Sequence, residues 1–506
     1  MKKKSLIYLA ALIAAMLCLT FILLFFERES DESSIKTVSD ALWYTVVTLT
    51  TVGYGDCYPV TGPGRLAGAV IVLCSLGVIA NIIAGIVSLI NGGIMPGIYL
   101  KHNRKKNWYV FSEANDKTNS LMADIKKNSD AVIICLSEKK KWKFSWEEII
   151  KMKNDDPDTL HLFFMDEREE DYLNFCAAFE VYKNYIQDET IPFHVYCMTG
   201  YKPEKIYVNL SCFHLYENTA RLYWSRYPLD SDSEKIIIAG NGKYSEAILR
   251  YALQGNVIKP VQNVHYHVFM DKRDFLMNHY CMENYFSADK SADERDSVFF
   301  YSSSWREERK LLEEADRIIF CSDSESENLS SVSDFRKYFS EALDKKIHVL
   351  AFSSFEDIKS FGSNQEIFTE DIVVHEKLNS LAVSMNELYR QSSETEQPDW
   401  NHLSEFKRQS NLAAADHIMY KLRYLNARNG REALEKFEKL DDRQKKECRR
   451  MEHERWMRFH IMNNWCYNAE RNNELRHHPD ICPFDDLSES SQAKDDYAWE
   501  ILGNIK

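Results

Sequence analysis

Two long apolar runs near the amino terminus limit the folds open to this chain. Residues 5–26 carry no charge, and residues 66–90 are interrupted only by small or neutral polar side chains. A helix needs about 20 apolar residues to cross the hydrocarbon core of a bilayer. No stretch after residue 100 reaches that length. The sequence therefore predicts two membrane-spanning helices, confined to the first fifth of the 506 residues.

Basic residues flank the two runs on their outer sides. Three lysines precede the first run at residues 2–4, and four basic residues follow the second run between 101 and 106. Because cytoplasmic flanks of membrane helices are enriched in Lys and Arg, we expect both termini in the cytoplasm, with the two spans in a bacterial-type inner membrane. The connection between the runs is mainly acidic, which favours cations at the outer mouth.

The connection between the runs contains the segment Thr51-Val52-Gly53-Tyr54-Gly55. Gly53 and Gly55 tolerate backbone angles that other residues rarely adopt, so this segment can aim successive carbonyl oxygens at one axis. The segment resembles the selectivity filter of potassium channels, in which rings of such oxygens replace the water shell of the ion. That resemblance implies K+ as the transported ion.

Three residues are expected to support this filter. Trp43 and Tyr44 resemble the aromatic collar that surrounds the filter in the potassium channel family, and Asp56 follows the filter directly. Many members of that family carry a glutamate where this chain has Val47. A buried acid pairing with Asp56 is therefore not expected here, and filter inactivation is expected to differ.

Two spans and one re-entrant loop form a quarter of a pore. Non-helical backbone at membrane depth persists only where protein or a water-filled cavity covers it, so a homotetramer in the lipid bilayer is implied. Gly77 in the second run lies about six helical turns beyond the filter by straight counting. We expect it either to act as the gate hinge or to allow close helix packing.

The sequence after residue 97 changes to alternating strand and helix patterns, which predict parallel sheets covered by helices. The pattern starts twice, about 128 residues apart, and predicts two α/β domains of one type. The predicted domains are a pore at 1–97, a first α/β domain at 104–230 and a second at 233–390. The predicted strands are 108–111, 131–136, 161–165 and 193–198, then 235–239, 264–270, 298–301, 317–321 and 347–352, with helices at 119–127 and 244–253.

A pore followed by two such domains resembles ligand-gated potassium channels with cytosolic RCK or KTN domains, which are Rossmann-like. In the second domain Gly240 and Gly242 keep two glycines of a dinucleotide-binding turn, and Asp271 follows the next strand. A phosphate could approach the following helix start, where free N–H groups favour anions. Two explanations fit this turn. Either the domain binds a nucleotide, or it serves only to assemble the subunits and to transmit a conformational change.

The corresponding turn of the first domain contains two acids and no glycine, at residues 112–116. Like charge would repel a phosphate there, so we expect none. Some relatives are gated by calcium, and Glu113, Asp116 or Glu138 could contribute oxygens to such a cation. A divalent cation requires six or more converging oxygens, and the sequence shows no loop of that kind. Scattered surface carboxylates explain the same residues.

Residues 399–506 carry five blocks, including 406–411, 451–456 and 477–484, that resemble the helical repeat domain named for ryanodine receptors. We expect an all-α module that senses a ligand. Aromatic rings could stack a base and arginines could bind its phosphate. Core packing and surface ion pairs are the competing explanation for the same residues. The candidate residues are Arg455, Trp456, Arg458, Trp465 and Arg471.

Composition excludes several other classes. The net charge is −14, and basic tracts are short, so nucleic-acid binding is not expected. The 12 cysteines follow no secreted framework and predict no disulfide. The histidines near the carboxyl terminus lack metal-site spacing, so no metal is expected beyond transported K+.

Together these features predict a potassium channel, and not an enzyme. A cytosolic small molecule is expected to gate it, and a nucleotide is the candidate class of ligand. The alternatives are a membrane-anchored nucleotide-dependent oxidoreductase that uses the Gly240 turn, and a nucleotide sensor with a vestigial pore. No catalytic base is placed near that turn by motif, which disfavours the oxidoreductase. The sequence does not give the sign of the ligand's effect on the pore.

Overall fold

The structure is a computed structural model, and it describes residues 3–91, 94–138, 142, 144–153, 160–166, 171–185, 193–203, 207–286, 295–352, 358–392 and 398–505. The chain divides into two units. One contains residues 1–106 and 134–156, and the other contains residues 107–133 and 157–506.

The helices are α1 (Lys3–Glu27), α2 (Val38–Leu49), α3 (Gly62–Asn91), α4 (Ile94–His102), α5 (Asp116–Asn128), α6 (Trp146–Lys153), α7 (Asp171–Tyr185), α8 (Leu215–Arg226), α9 (Lys243–Gly255), α10 (Lys272–Asn278), α11 (Glu283–Phe286), α12 (Arg309–Glu314), α13 (Glu325–Tyr338), α14 (Asn364–Ile367), α15 (Glu370–Val373), α16 (Ser380–Ser392), α17 (Glu405–Tyr424), α18 (Gly430–Glu438), α19 (Asp442–Met462), α20 (Glu489–Ala493) and α21 (Tyr497–Glu500). The strands are β1 (Trp108–Phe111), β2 (Val132–Cys135), β3 (Leu160–Phe164), β4 (Phe193–Met198), β5 (Leu210–Phe213), β6 (Lys235–Ala239), β7 (His265–Phe269), β8 (Ser297–Phe300), β9 (Arg317–Phe320), β10 (Ile347–Leu350), β11 (Lys359–Phe361), β12 (Cys466–Tyr467) and β13 (His477–His478).

The amino-terminal unit is built on α1, α2 and α3. Apolar side chains of the three helices form a common core that includes Leu23, Ala41 and Ile71. The short helix α2 starts at a capping box, in which Thr37 and Asp40 satisfy each other's backbone N–H groups. This helix leads directly into the segment predicted to be the filter.

Among the described residues, 62–87 of α3 form the one helix long and apolar enough to cross a membrane, with a mean hydropathy of 2.7. The second apolar run therefore forms a helix that is long enough to cross a bilayer, as predicted. Residues 11–27 of α1 form a shorter apolar helix. The first span stays a prediction.

Two parallel sheets form the α/β part of the chain, which confirms the predicted Rossmann-like architecture. In the described residues the first sheet has the strand order β2-β1-β3-β4-β5, and the second has the order β11-β10-β9-β6-β7-β8. In the second sheet the order reverses between β6 and β9, the position where ligands bind in doubly wound folds. The apolar side chains of β6, β9 and β10 are buried in the core of this domain.

The predicted strands are present, with bounds within two residues of those observed. The sequence analysis missed β5 and β11. The first of these carries polar Ser211 between apolar residues, and the second has three residues at the edge of its sheet. Neither shows the continuous apolar run that marks a strand buried on both faces.

Residues 399–505 are mainly helical and pack against the second α/β domain. Helices α17 and α19 lie beside α9, and His417 Nε2 lies 2.7 Å from the carbonyl oxygen of Val257. The tyrosine hydroxyl of Tyr420 donates to Asn256 at 2.9 Å. A short parallel pair, β12 and β13, departs from the all-α prediction. The assignment to the ryanodine-receptor type and the four domain boundaries stay predictions.

Candidate functional site

The segment predicted as the filter has an alternating backbone. Thr51, Gly53 and Gly55 have φ values of 58°, 60° and 74°, whereas Val52 and Tyr54 between them do not have positive φ. Such alternation turns successive carbonyl groups to the same side of the chain, as a row of cation ligands requires. The sequence analysis expected this of the two glycines but missed Thr51, since a β-branched residue rarely adopts left-handed angles.

The carboxyl end of α2 leads into this segment. The backbone N–H groups of Val52 and Gly53 donate to the carbonyl oxygen of Val47 at 3.1 and 3.4 Å. The side chain of Val47 is buried, with 6% of its surface exposed. The negative end of the α2 dipole therefore lies next to the filter, where it stabilises a cation.

An aromatic ring and a carboxylate brace the outer part of the filter. The Trp43 ring stacks on the Tyr54 ring with centroids 6.0 Å apart and an interplanar angle of 2°. The indole Nε1 of Trp43 donates to Asp56 Oδ2 at 2.8 Å. This hydrogen bond joins α2 to the residue that follows the filter, as the predicted support role requires.

Tyr44 lies against α3 and not against the filter in the described contacts. A β-carbon added to Gly68 would lie 2.8 Å from its hydroxyl oxygen. The ring therefore occupies a gap that a glycine on α3 leaves open. Tyr44 thus packs between α2 and α3, and its role in supporting the filter stays a prediction.

Gly77 lies within the unbroken helix α3. A β-carbon at this position would meet Leu12 of α1 at 3.5 Å, which is ordinary van der Waals contact. Because α3 starts at residue 62, Gly77 is about four turns into this helix and not six turns along a helix from the filter. The contact with Leu12 supports the explanation that Gly77 allows α1 and α3 to pack closely. The role of Gly77 as a gate hinge stays a prediction.

Glu27 has a role that the sequence analysis missed. We expected it among the acids of the outer mouth, but it is fully buried. Its carboxylate accepts the N–H groups of Val60 and Thr61 at 3.0 and 2.9 Å. These residues precede α3, so the carboxylate at the end of α1 fixes the start of α3 and satisfies N–H groups that would otherwise lack partners.

The glycine turn of the second α/β domain is closed by its own chain. Gly240 and Gly242 have φ values of 148° and 121°, and a β-carbon on Gly242 would lie 2.2 Å from the Asp323 carboxyl carbon. The Asp323 carboxylate accepts the N–H groups of Lys243 and Tyr244 at 3.1 and 3.0 Å. It therefore occupies the start of α9, where a phosphate would otherwise approach, and nucleotide binding at Gly240 and Gly242 stays a prediction.

Asp271 caps the start of α10. Its carboxylate accepts the N–H of Arg273 at 2.8 Å, and its own N–H donates to Asn241 at 3.1 Å. Asp271 and Gly240 line a cavity of about 790 Å³ at the carboxyl ends of the strands. A ribose contact from Asp271 stays a prediction, but the adjacent phosphate position is taken by Asp323.

The five residues predicted to bind a ligand in the carboxy-terminal module have different surroundings in the structure. Arg455 and Arg458 are each only 2% exposed. Arg455 donates to Glu452 at 2.7 Å, and Arg458 donates to Asp296 at 2.6 Å. Carboxylates already pair with both guanidinium groups, which favours the competing explanation of internal ion pairs, and phosphate binding by Arg455 and Arg458 stays a prediction.

The other three predicted ligand residues occupy different environments. Trp465 is buried, with its ring 5.2 Å from that of Phe406. The Trp456 ring lies against that of His460, with centroids 3.9 Å apart and the ring planes tilted by 36°. Arg471 is exposed and donates to Asn473 at 3.1 Å. Aromatic packing explains the two tryptophans, and their role as ligand residues stays a prediction.

The acids of the first α/β turn form no cation site among the described residues. Asn115 accepts the N–H of Thr118 at 2.8 Å and caps α5, so this turn has a structural role. Within the described part of the chain, no three His, Cys, Asp or Glu side chains cluster at metal-binding distance.

Residues 10–91 match the family model described as "Ion channel". The chain is 42% identical over 67 residues to human Potassium voltage-gated channel subfamily A member 6, covering 13% of each protein. It is 27% identical over 129 residues to the Calcium-gated potassium channel TvoK of Thermoplasma volcanium, covering 26% of this chain and 37% of that protein. These matches confirm the predicted resemblance of the amino-terminal region to potassium channel pores, although they span a minor part of each relative.

The fold is similar to a solved structure described as "GsuK Channel", with a TM-score of 0.39 and 14% sequence identity. That similarity covers 74% of this chain and 99% of the other. A similarity at this level is too distant to assign a ligand or a mechanism to this chain.

Proposed function

We propose that this protein is a homotetrameric, potassium-selective channel whose opening is controlled by a cytosolic ligand. The observation that carries the proposal is the alternating backbone at Thr51, Gly53 and Gly55, at the end of a helix that directs its negative dipole toward the filter. Four such segments around an axis would form rings of carbonyl oxygens that replace the hydration shell of K+.

Exposed apolar side chains support a membrane-embedded assembly. Phe25, Leu66 and Leu73 are 74%, 70% and 68% exposed in the single chain. Contiguous apolar surface of this kind marks an interface or a lipid-facing surface. Val52 and Tyr54 in the filter are also exposed, at 53% and 68%. Lipid would cover the helices, neighbouring subunits would enclose the filter, and both termini would lie on the cytoplasmic side of the inner membrane.

The gating part would consist of the two RCK-like domains, 104–230 and 233–390, and the ryanodine-receptor-type module at 399–506. A ligand that binds one arrangement of these domains more tightly shifts the population toward it, and no shift occurs without such a difference in affinity. The change would reach the pore through α3, with bending near Gly77. We propose a nucleotide as the class of effector, bound away from the closed turn at Gly240.

The oxidoreductase alternative depends on a dinucleotide at the start of α9. Asp323 fills that position with a carboxylate, so a phosphate group would meet like charge where the fold normally offers free N–H groups. The geometry thus counts against this alternative. The sensor with a vestigial pore differs from a channel only in conduction, which can be measured.

Rubidium uptake into liposomes tests the proposal. Purified full-length protein would be reconstituted with K+ inside, and uptake of 86Rb+ measured with excess K+ or Na+ outside, with and without nucleotide on the cytosolic face. We expect K+ to compete with rubidium and Na+ not to compete. Equal competition by both ions would contradict potassium selectivity, and a folded tetramer that conducts nothing in any condition would favour the vestigial pore.

A further inference from the structure

A cavity of about 700 Å³ lies where three parts of the larger unit meet. Strands β3, β4 and β5 of the first sheet line one part of it, residues 372–380 line a second, and α17 with Trp400 lines the third. Small-molecule sites in proteins typically enclose about 300–1,000 Å³. The cavity therefore has the size of a ligand site, and its walls belong to elements that are distant in sequence.

Arg408 on α17 brings an unpaired positive charge to this cavity. Its Nε donates to the carbonyl oxygen of Trp400 at 3.0 Å, and its guanidinium carbon lies 5.3 Å from the centre of the Trp400 ring. Among the described residues no carboxylate lies within ion-pair distance of it. Burial lowers the pKa of Arg408, and the nearby charges of Glu376 and Glu405 offset this only in part.

Arg221, which lines the same cavity, shows the contrasting arrangement. It donates from Nε and Nη2 to the Asp416 carboxylate at 2.7 and 2.9 Å, and also to Asn379 and the carbonyl of Leu378. Its hydrogen-bonding groups are thus used within the protein. Arg408 keeps its two terminal nitrogens for a partner from outside the chain.

Aromatic rings provide flat apolar surface on the strand side of the cavity. The His161 ring stacks with His194 at 5.5 Å and with Tyr196 at 5.9 Å, and all three side chains line the cavity. The indole of Trp400 lines the part that carries Arg408. Aromatic side chains stack on any nucleic base, because every base has a π-face.

Two carboxylates in the cavity have only uncharged partners among the described residues. Glu376 accepts from Asn379 at 3.2 Å, and Glu405 accepts from Gln409 at 2.8 Å. Glu376 also holds a left-handed backbone with φ of 45°, a strained state that a surrounding structure must maintain. Both carboxylates retain acceptor capacity for the hydroxyl groups of a sugar.

We propose that this cavity binds a nucleoside phosphate, with the phosphate on Arg408, the base among the aromatic rings and the ribose hydroxyls on Glu376 and Glu405. This inference deepens the proposed function, since it places the effector in one site. A ligand there would connect the first α/β domain, residues 372–380 and α17. Its binding energy would thus depend on how these three parts are arranged, which is the requirement for gating.

Binding of AMP to the full-length protein in detergent tests the inference. Equilibrium dialysis with radiolabelled AMP would be compared for the native chain, Arg408→Ala and Arg428→Ala, the last an exposed arginine paired with Glu432 on the same module. We expect Arg408→Ala to weaken AMP binding at least tenfold and Arg428→Ala to leave it unchanged. Adenosine and inorganic phosphate alone should each bind more weakly than AMP, because each uses half of the site.

Three further variants keep the test decisive if Arg408→Ala does not fold. Arg408→Lys keeps the charge but loses the planar donor pair, so it should bind AMP with intermediate affinity. Trp400→Phe should bind AMP more tightly than Trp400→Ala does. The inference is wrong if AMP, ADP and GMP all fail to bind at millimolar concentration, or if the Arg408 variants bind as the native chain does.

The AMP-binding test and the rubidium-flux test can fail independently of each other. AMP binding without rubidium flux would count against conduction alone. Selective rubidium flux through a protein that binds no nucleotide would count against this site alone.

Discussion

Arg458 on α19 donates to Asp296, the residue before β8, at 2.6 Å, and both side chains are almost completely buried. Asp296 also accepts from the backbone of Val264 and from Gln262, both at 2.7 Å. The pair thus joins the carboxy-terminal module to the second α/β domain through a carboxylate with several donors. Such a contact favours a module that moves together with this domain.

We expect Asp296→Ala to destabilise the protein by about 3 kcal/mol, because removing one member of a buried pair leaves the other charge without compensation. The measurement is denaturant unfolding of the detergent-solubilised protein, followed by tryptophan fluorescence. The double variant Asp296→Leu with Arg458→Met should be closer to the native chain than Asp296→Ala, since it leaves no buried charge unpaired.

Arg431→Ala is the matched control, because Arg431 is 87% exposed and pairs with Glu435 on its own helix. Exposed pairs of this kind contribute about 0–1 kcal/mol. A loss of stability in the control as large as in Asp296→Ala would contradict the special role of the buried pair.

The filter backbone leads to a second prediction. Gly55→Ala should abolish selective rubidium uptake, because a left-handed alanine costs about 1–2 kcal/mol in each subunit and the alternative backbone turns a carbonyl away from the axis. Gly62→Ala is the control, since a β-carbon there meets nothing within 4 Å and its φ is not positive. Potassium-selective uptake by Gly55→Ala at the native rate would contradict the assignment of the filter.

Much of the α/β fold could be predicted from the sequence. The apolar runs Trp108–Phe111 and Lys235–Ala239 form strands with the predicted bounds, because strands buried on both faces need apolar side chains throughout. Gly53 and Gly55 were likewise recognisable, since the residue type itself permits the required angle. In these cases the information is local.

The features that could not be predicted depend on residues distant in sequence. Glu27 meets Thr61 34 residues later, and Asp323 meets Lys243 80 residues earlier. A carboxylate that caps a distant helix looks like any surface acid until the fold is known. The same reason hid Arg408, because the absence of an ion pair to it among the described residues is visible only once its neighbours are in place.

Asp323 provides a third prediction. Asp323→Ser should destabilise the second α/β domain by about 1 kcal/mol, as loss of a helix cap does, and should free two N–H groups at the start of α9. We therefore expect inorganic phosphate to raise the melting temperature of Asp323→Ser more than that of the native chain. Asp334→Ala, which removes a partly buried partner of Arg306, is the control. An equal effect of phosphate on all three proteins would show that Asp323 does not block an anion site.

Asp495 makes stability depend on pH. Burial, and then the nearby charge of Glu452, raises the pKa of Asp495 to about 8. The folded chain therefore holds this proton more tightly than the unfolded chain, in which the pKa of Asp is about 3.9. Between these two values stability falls as pH rises, by at most about 1.4 kcal/mol per pH unit for this group.

Asp495→Asn cannot lose a proton, so its stability relative to the native chain should increase from pH 5 to pH 8 and become constant above that. Denaturant unfolding at pH 5, 6, 7 and 8 measures this difference, which cancels the contributions of buried histidines common to both proteins. Glu489→Gln, an exposed position on α20, should show a difference independent of pH. A difference for Asp495→Asn that is constant with pH, or that decreases as pH rises, would mean that Asp495 is ionised in the folded protein near neutral pH.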